Sequence, residues 1–167
     1  MLKEEAFLNN PILNILAVFF FYSIVPFASV YYLRLRGRSD VFMSERSRRP
    51  KHFIPGLLGY MVSILVFQAC GMRLMRTASA SFLLTSLILL LLTFVTKVSI
   101  HVAGLTATVV LILHAYWPAG SILLLLIPVL AWARVNTGEH TYRQTMLGAF
   151  TGLTGSVLGI LFFPTVS

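Results

Sequence analysis

Residues 78–96 read ASASFLLTSLILLLLTFVT without a single charge, and the next five, Lys97-Val98-Ser99-Ile100-His101, bring together a cation, a hydroxyl and an imidazole. A run of this length is close to the ~20 apolar residues a helix needs to cross a ~30 Å hydrocarbon layer. Polar groups crowded at the end of such a span are costly unless solvated or put to use. Two further clusters have the same character: Arg46-Ser47-Arg48-Arg49-Pro50, and Arg134-Val135-Asn136-Thr137-Gly138-Glu139-His140.

Composition agrees with a membrane setting. The chain is 57% hydrophobic and only 11% charged, with a mean hydropathy of +0.86, whereas a soluble domain is about 25% charged. Its 167 residues hold five or six spans of roughly 20 residues each and no separate soluble domain. A net charge of +8 falls in short segments between apolar runs, as membrane topology and anionic head groups require, and no basic tail or aromatic-basic platform points to nucleic acid. Cys70 is the sole cysteine, which excludes an internal disulfide and a cysteine zinc site. Met1-Leu2-Lys3-Glu4-Glu5 is too acidic for a secretory leader, so the first apolar run is expected to stay as a helix.

The spacing predicts an all-α, polytopic membrane helix bundle of about six transmembrane helices, forming one domain over residues 1–167. The expected spans are 11–33 with a kink at Pro26, 52–71, 78–96, 102–117, 121–133 and 145–163. A basic loop (34–51), a connector (72–77) and a turn at Pro118-Ala119-Gly120 join them. Gly148, Gly152, Gly155 and Gly159 line the last span three and four residues apart, a spacing that lets helix backbones approach closely. That stripe fits packing inside one bundle or a homodimer seam.

With six spans, the three polar clusters emerge on one face. Of the 13 Lys and Arg residues, only Lys3, Arg73 and Arg76 fall on the other, so the positive-inside rule places the cluster face in the cytoplasm.

Displacement at phosphorus needs a nucleophile, donors for the equatorial oxygens, and an acid for the leaving group. Neutral imidazole can attack phosphorus, a second imidazole can donate the proton, and guanidinium suits phosphate oxygens bidentately. His101 and His140, with Arg46, Arg49, Lys97, Arg134 and Ser99, supply that set with no metal and no cofactor.

These residues resemble the type 2 phosphatidic acid phosphatase superfamily, whose motifs are Lys-x6-Arg-Pro, Pro-Ser-Gly-His and Ser-Arg-x5-His-x3-Asp. Arg49-Pro50 matches the end of the first motif. Ser99 and His101 match the second, with Val98 and Ile100 replacing its Pro and Gly. Ala133-Arg134 and His140 keep the spacing of the third. The resemblance implies His140 as nucleophile, His101 as general acid, and Arg49, Arg134 and Ser99 as holders of the phosphoryl oxygens. It departs at Phe42, where the family has Lys, and Arg46 or Lys97 would replace that charge. It departs again at Gln144, which stands where the family's Asp orients the nucleophile; Asp40, Glu45 or Glu139 is the alternative source of a carboxylate. The implied activity is metal-independent hydrolysis of a lipid phosphate or diphosphate: an isoprenoid phosphate, phosphatidate or phosphatidylglycerophosphate. A lipid-phosphate binder or transporter with a degenerate site is the competing expectation.

Overall fold

The structure, a computed structural model, describes residues 11–28, 31 and 49–165, with side chains for 12–28, 31, 53–118 and 120–165. These residues form six helices and no strand. Helix α1 begins at Pro11–Phe19, passes through a π-helical turn at Phe20–Ile24 and continues to Ala28. It is followed by α2 (Arg49–Ala69), α3 (Arg73–Thr93) and α4 (Ile100–Ala115). A 3₁₀ segment, Ala119–Leu125, leads into α5 (Leu126–Asn136), and α6 is Tyr142–Phe162.

Helices α3 and α6 each have 21 residues, a length of about 31 Å at 1.5 Å per residue, and both are long and apolar enough to cross a membrane. The other four apolar stretches, Ile12–Ala28, Phe53–Ala69, Ile100–Ala115 and Gly120–Asn136, are shorter. Several boundaries differ from those expected. The 72–77 connector shrinks to a turn, because Gly71 adopts φ 73° and ends α2. There Met72 N–H donates to Phe67 O at 2.9 Å and Gly71 N–H to Gln68 O at 3.2 Å, the paired bonds that close a helix around a left-handed residue. Arg73 and Arg76 therefore lie in the first turn of α3 rather than in a loop. The fifth apolar segment is longer than read, since the 3₁₀ turn extends it back to Ala119. Pro26 acts one turn upstream: it lacks the N–H that would continue the helical ladder, and Val25 N–H bonds Phe20 O in the wider π register.

Polarity is inverted relative to a water-soluble core. Ser63, Thr77, Ser79, Ser81, Thr85, Thr93, Thr106, Thr145, Thr151 and Ser156 are buried, while Leu65, Leu91, Val95, Phe150 and Leu161 point outward. Buried hydroxyls fold back on their own helix: Thr93 donates to Leu89 O at 2.8 Å, Thr106 to Val102 O at 2.8 Å and Thr151 to Leu147 O at 2.7 Å. Small residues inside and large apolar residues outside suit a lipid solvent, where close packing replaces the hydrophobic drive. The two long spans and this inversion support a membrane-embedded bundle.

The glycine stripe of α6 is the centre of that packing. Gly148 and Gly152 face Ser99, Ala103 and Thr106 of α4 and its N-terminus, and Gly155 and Gly159 face Thr85 and Ser81 of α3. The close approach takes place within the chain, as the first of the two expectations for the stripe required.

A β-carbon added at Gly155 would stand 2.6 Å from the Thr85 backbone nitrogen and 2.7 Å from its Cα, whereas one at Gly104 meets nothing within 4 Å. Gly155→Ala is therefore expected to destabilise the bundle by about 1–3 kcal/mol through overpacking. Gly104→Ala should be neutral or stabilising by up to about 1 kcal/mol, through helix propensity. Thermal unfolding in detergent checks the pair; equal melting temperatures would contradict the close α3–α6 approach.

Candidate functional site

One end of the bundle collects the polar groups. Phe53, one helical turn after Arg49, packs with Leu89, Val98 and Ala103, so the start of α2 shares an end with the Lys97–His101 segment. Ser99 N–H donates to Gln144 O at 3.2 Å, and Lys97 Nζ donates to Glu139 O at 2.7 Å. The second and third clusters thus meet, and Arg49 begins its helix at the same end. Arg46, with Phe42, Asp40 and Glu45, lies outside the described residues.

A local backbone device builds the third cluster. Arg134 sits in the last turn of α5, and Gly138 at φ 71° reverses the chain just beyond it. A side chain at 138 would be strained in that left-handed region. The reversal lets His140 N–H donate to Arg134 O at 3.2 Å and brings the Glu139 carboxylate into an ion pair with Arg134 Nη2. Arg134 Nε is buried without a hydrogen-bond partner.

Gln144 falls inside α6, not in the loop before it. Thr141 and Gln144 form a capping box: Gln144 N–H donates to Thr141 Oγ1 at 3.4 Å and Thr141 N–H donates to Gln144 Oε1 at 3.2 Å. Only an oxygen can accept from that N–H, which fixes the amide's orientation. The same Oε1 lies 3.1 Å from His140 Nδ1, so Nδ1 must carry the proton, and in the neutral imidazole the lone pair is on Nε2. Gln144 therefore does for tautomer selection what a carboxylate would do, without the negative charge. The pattern Thr141-x-x-Gln144 is itself a readable helix-start signal, and sequence reasoning missed it.

Ser99 occupies the N-cap position of α4 at φ −80°, ψ 102°, yet its side chain makes no capping bond. Its hydroxyl is buried without a partner, an arrangement that costs about 1–3 kcal/mol. His101 follows in the first turn of α4, ahead of the apolar stretch. Although part of its ring reaches the surface, the protein packed around it holds the imidazole below its ordinary value. The Arg134 charge acts in the same direction and Glu139 opposes it. His114 lies at the far end of the bundle, 3.1 Å from Thr165 Oγ1, away from the cluster. Among the described residues no group of three or more His, Cys, Asp or Glu has the arrangement to hold a metal ion.

No family model, curated protein or solved structure matches the chain. The chemistry of the cluster therefore rests on its own residues.

Replacing Gln144 separates its two roles. Gln144→Ala should cost about 0.5–1 kcal/mol of stability by removing the side-chain half of the capping box, the bond from Thr141 N–H, and leave Nδ1 without its acceptor. Gln144→Glu keeps both bonds and adds an anion at a helix N-terminus, worth about 0.3–1 kcal/mol. It should also raise the pKa of His140, because an adjacent anion favours imidazolium. NMR titration of the histidine side chains reads this directly, and an unmoved His140 pKa in Gln144→Glu would remove Gln144 as the residue that orients it.

Proposed function

We propose that the protein is a metal-independent membrane phosphatase acting on a lipid phosphate or diphosphate, with its site at the interface where a lipid head group sits. The observation that carries this is the His140–Gln144 contact: it prepares an imidazole with its lone pair on Nε2, in the loop whose Glu139 carbonyl accepts from Lys97 Nζ and whose Glu139 carboxylate pairs with Arg134. In the reaction, Nε2 attacks phosphorus as the bond to the lipid oxygen breaks, and His101 passes its proton to that oxygen. Water, giving a proton to the now neutral His101, then cleaves the phosphohistidine, releasing inorganic phosphate and restoring both histidines. Arg134, Lys97, Arg49, Arg46 and Ser99 are assigned to the phosphoryl oxygens. Two of the buried atoms without a hydrogen-bond partner, Ser99 Oγ and Arg134 Nε, belong to these residues and support that assignment, since each has hydrogen-bonding capacity to give.

The type 2 phosphatidic acid phosphatase resemblance supports the same roles. A second reading, a lipid-phosphate binder or transporter, is favoured by Phe42 and Gln144 in place of that family's Lys and Asp. Phosphate release by the purified protein in EDTA, across isoprenoid, phosphatidate and phosphatidylglycerophosphate substrates, separates the two. His140→Ala is expected to abolish release by at least about a hundredfold, on the scale of losing a positioned catalytic group, while the protein stays folded and inserted. Wild-type turnover by that variant would sink the nucleophile assignment.

The site is assigned to the cytoplasmic face of the cell membrane. Arg34, Arg36 and Arg38 directly follow the first apolar run, and cations close to a span end weigh most in setting orientation. In a Cys70→Ser background, a cysteine replacing Ser39 is expected to be shielded from an impermeant maleimide in intact cells, and one replacing Ser167 to be labelled. The reverse pattern would turn the molecule over and leave the chemistry in place.

A further inference from the structure

From Arg46 to Ser167 the sequence contains one acidic residue, Glu139. Its carboxylate is paired with Arg134, in the centre of the candidate phosphate site. A lone acid in so basic a chain has many cations to choose from, and the fold delivers it to the guanidinium assigned to the phosphoryl group. Two contacts and a turn deliver it. Lys97 Nζ holds the Glu139 carbonyl at 2.7 Å, His140 N–H holds Arg134 O at 3.2 Å, and Gly138 supplies the reversal between them.

The pairing engages only part of the guanidinium. Glu139 Oε2 is on Nη2, while Nε is buried and has no hydrogen-bond partner. Arginine and a fully matched oxyanion form two parallel bonds, so the carboxylate here fills half of a fork. The two side chains are 19% and 27% exposed, so the carboxylate can turn out to water. Its backbone, held by Lys97, need not move.

Resting on the phosphate-site reading above, we propose that Glu139 is a built-in competitor for the substrate anion: its carboxylate occupies Arg134 until a phosphate displaces it, which weakens the binding of every anion by the same factor and so sets an affinity threshold that dianionic phosphate monoesters pass more easily than monoanionic phosphodiesters. The exchange breaks one Arg134–carboxylate contact and forms Arg134–phosphate contacts through Nη2 and Nε, with no covalent change. A monoanion replacing a monoanion gains little charge attraction. A dianion gains a full unit against the same guanidinium, Lys97 and their neighbours. In a membrane whose bulk lipids carry phosphodiester head groups, such a threshold keeps the abundant monoanions out.

Calorimetric titration of the whole protein in neutral detergent tests this with phenyl phosphate as the dianion and methyl phenyl phosphate as the monoanion. The titration is run near pH 8, about two units above the monoester's second pKa. Glu139→Gln is expected to bind both probes more tightly, roughly tenfold each, the factor that corresponds to losing one modest ionic competitor. The ratio of the two affinities should stay the same, since either probe displaces the same carboxylate. Glu139→Asp, which keeps the charge on a shorter arm, should move in the same direction by less. In an Arg134→Ala background the effect of Glu139→Gln should vanish. A purely structural ion pair gives the opposite sign: Glu139→Gln would then lower the melting temperature and weaken or leave unchanged the binding of both probes, which overturns the proposal while the phosphate site stands. Failure of wild type and both Glu139 variants to bind either probe would overturn the proposal and the phosphate-site reading together.

Discussion

The meeting of Gly148 with Ser99 sets the register on which the polar end of the bundle depends. A β-carbon at Gly148 would lie 2.6 Å from Ser99 O, so α6 can approach the start of α4 this closely only with glycine there. At that separation Ser99 N–H reaches Gln144 O at 3.2 Å, and two segments more than forty residues apart in sequence become one site. Gly152, Gly155 and Gly159 continue the same contact down α4 and α3. In lipid, association of helices draws on packing and interhelical bonds rather than on exclusion of water, so the stripe is both the adhesive of the fold and the ruler for the site.

Scarcity of negative charge organises the electrostatics. With one acidic side chain downstream of Glu45, the orientation of His140 falls to an amide and the carboxylate goes to a guanidinium. Gln144 serves because two donors, Thr141 N–H and His140 Nδ1–H, converge on a single oxygen, and the backbone donor fixes which end of the amide is presented. An amide oxygen selects a tautomer as well as a carboxylate does, but it adds no charge to stabilise imidazolium. The depressed pKa of His101 follows from the same imbalance: protein packing and Arg134 disfavour a second positive charge there, and only Glu139 offsets them.

At the opposite end of the bundle, Arg76 and Tyr22 tie helices together. Arg76 donates to Gln68 Oε1 at 2.5 Å and Pro164 O at 2.9 Å and lies over the Phe163 ring, tying α2, α3 and the end of α6 together. Tyr22, delivered by the π-helical turn of α1, bonds Met75 O at 2.8 Å and lies 2.9 Å from Ser79 Oγ. Cations are thus used differently at the two ends. Arg76 closes helix ends, whereas Arg134 and Lys97 converge on one loop.

Hydropathy alone determined the helical class, the six apolar segments and the alternation of loops that brings the polar clusters to one face, because span length is imposed by the bilayer and charges are excluded from it. The His101 and His140 positions were legible from their neighbours for the same reason. Helix boundaries were less legible, since Gly71 ended α2 early and the capping box at Thr141 began α6 early through backbone hydrogen bonds that leave little trace in hydropathy. What only the tertiary structure decided was partnership: that Gln144 faces His140 Nδ1, that Ser99 is sealed against α6 instead of capping α4, and that Glu139 rests on Arg134. Those choices depend on distances of an ångström or two between segments far apart in the chain, and such distances are set by the packing of glycine against backbone, not by the order of residues along it.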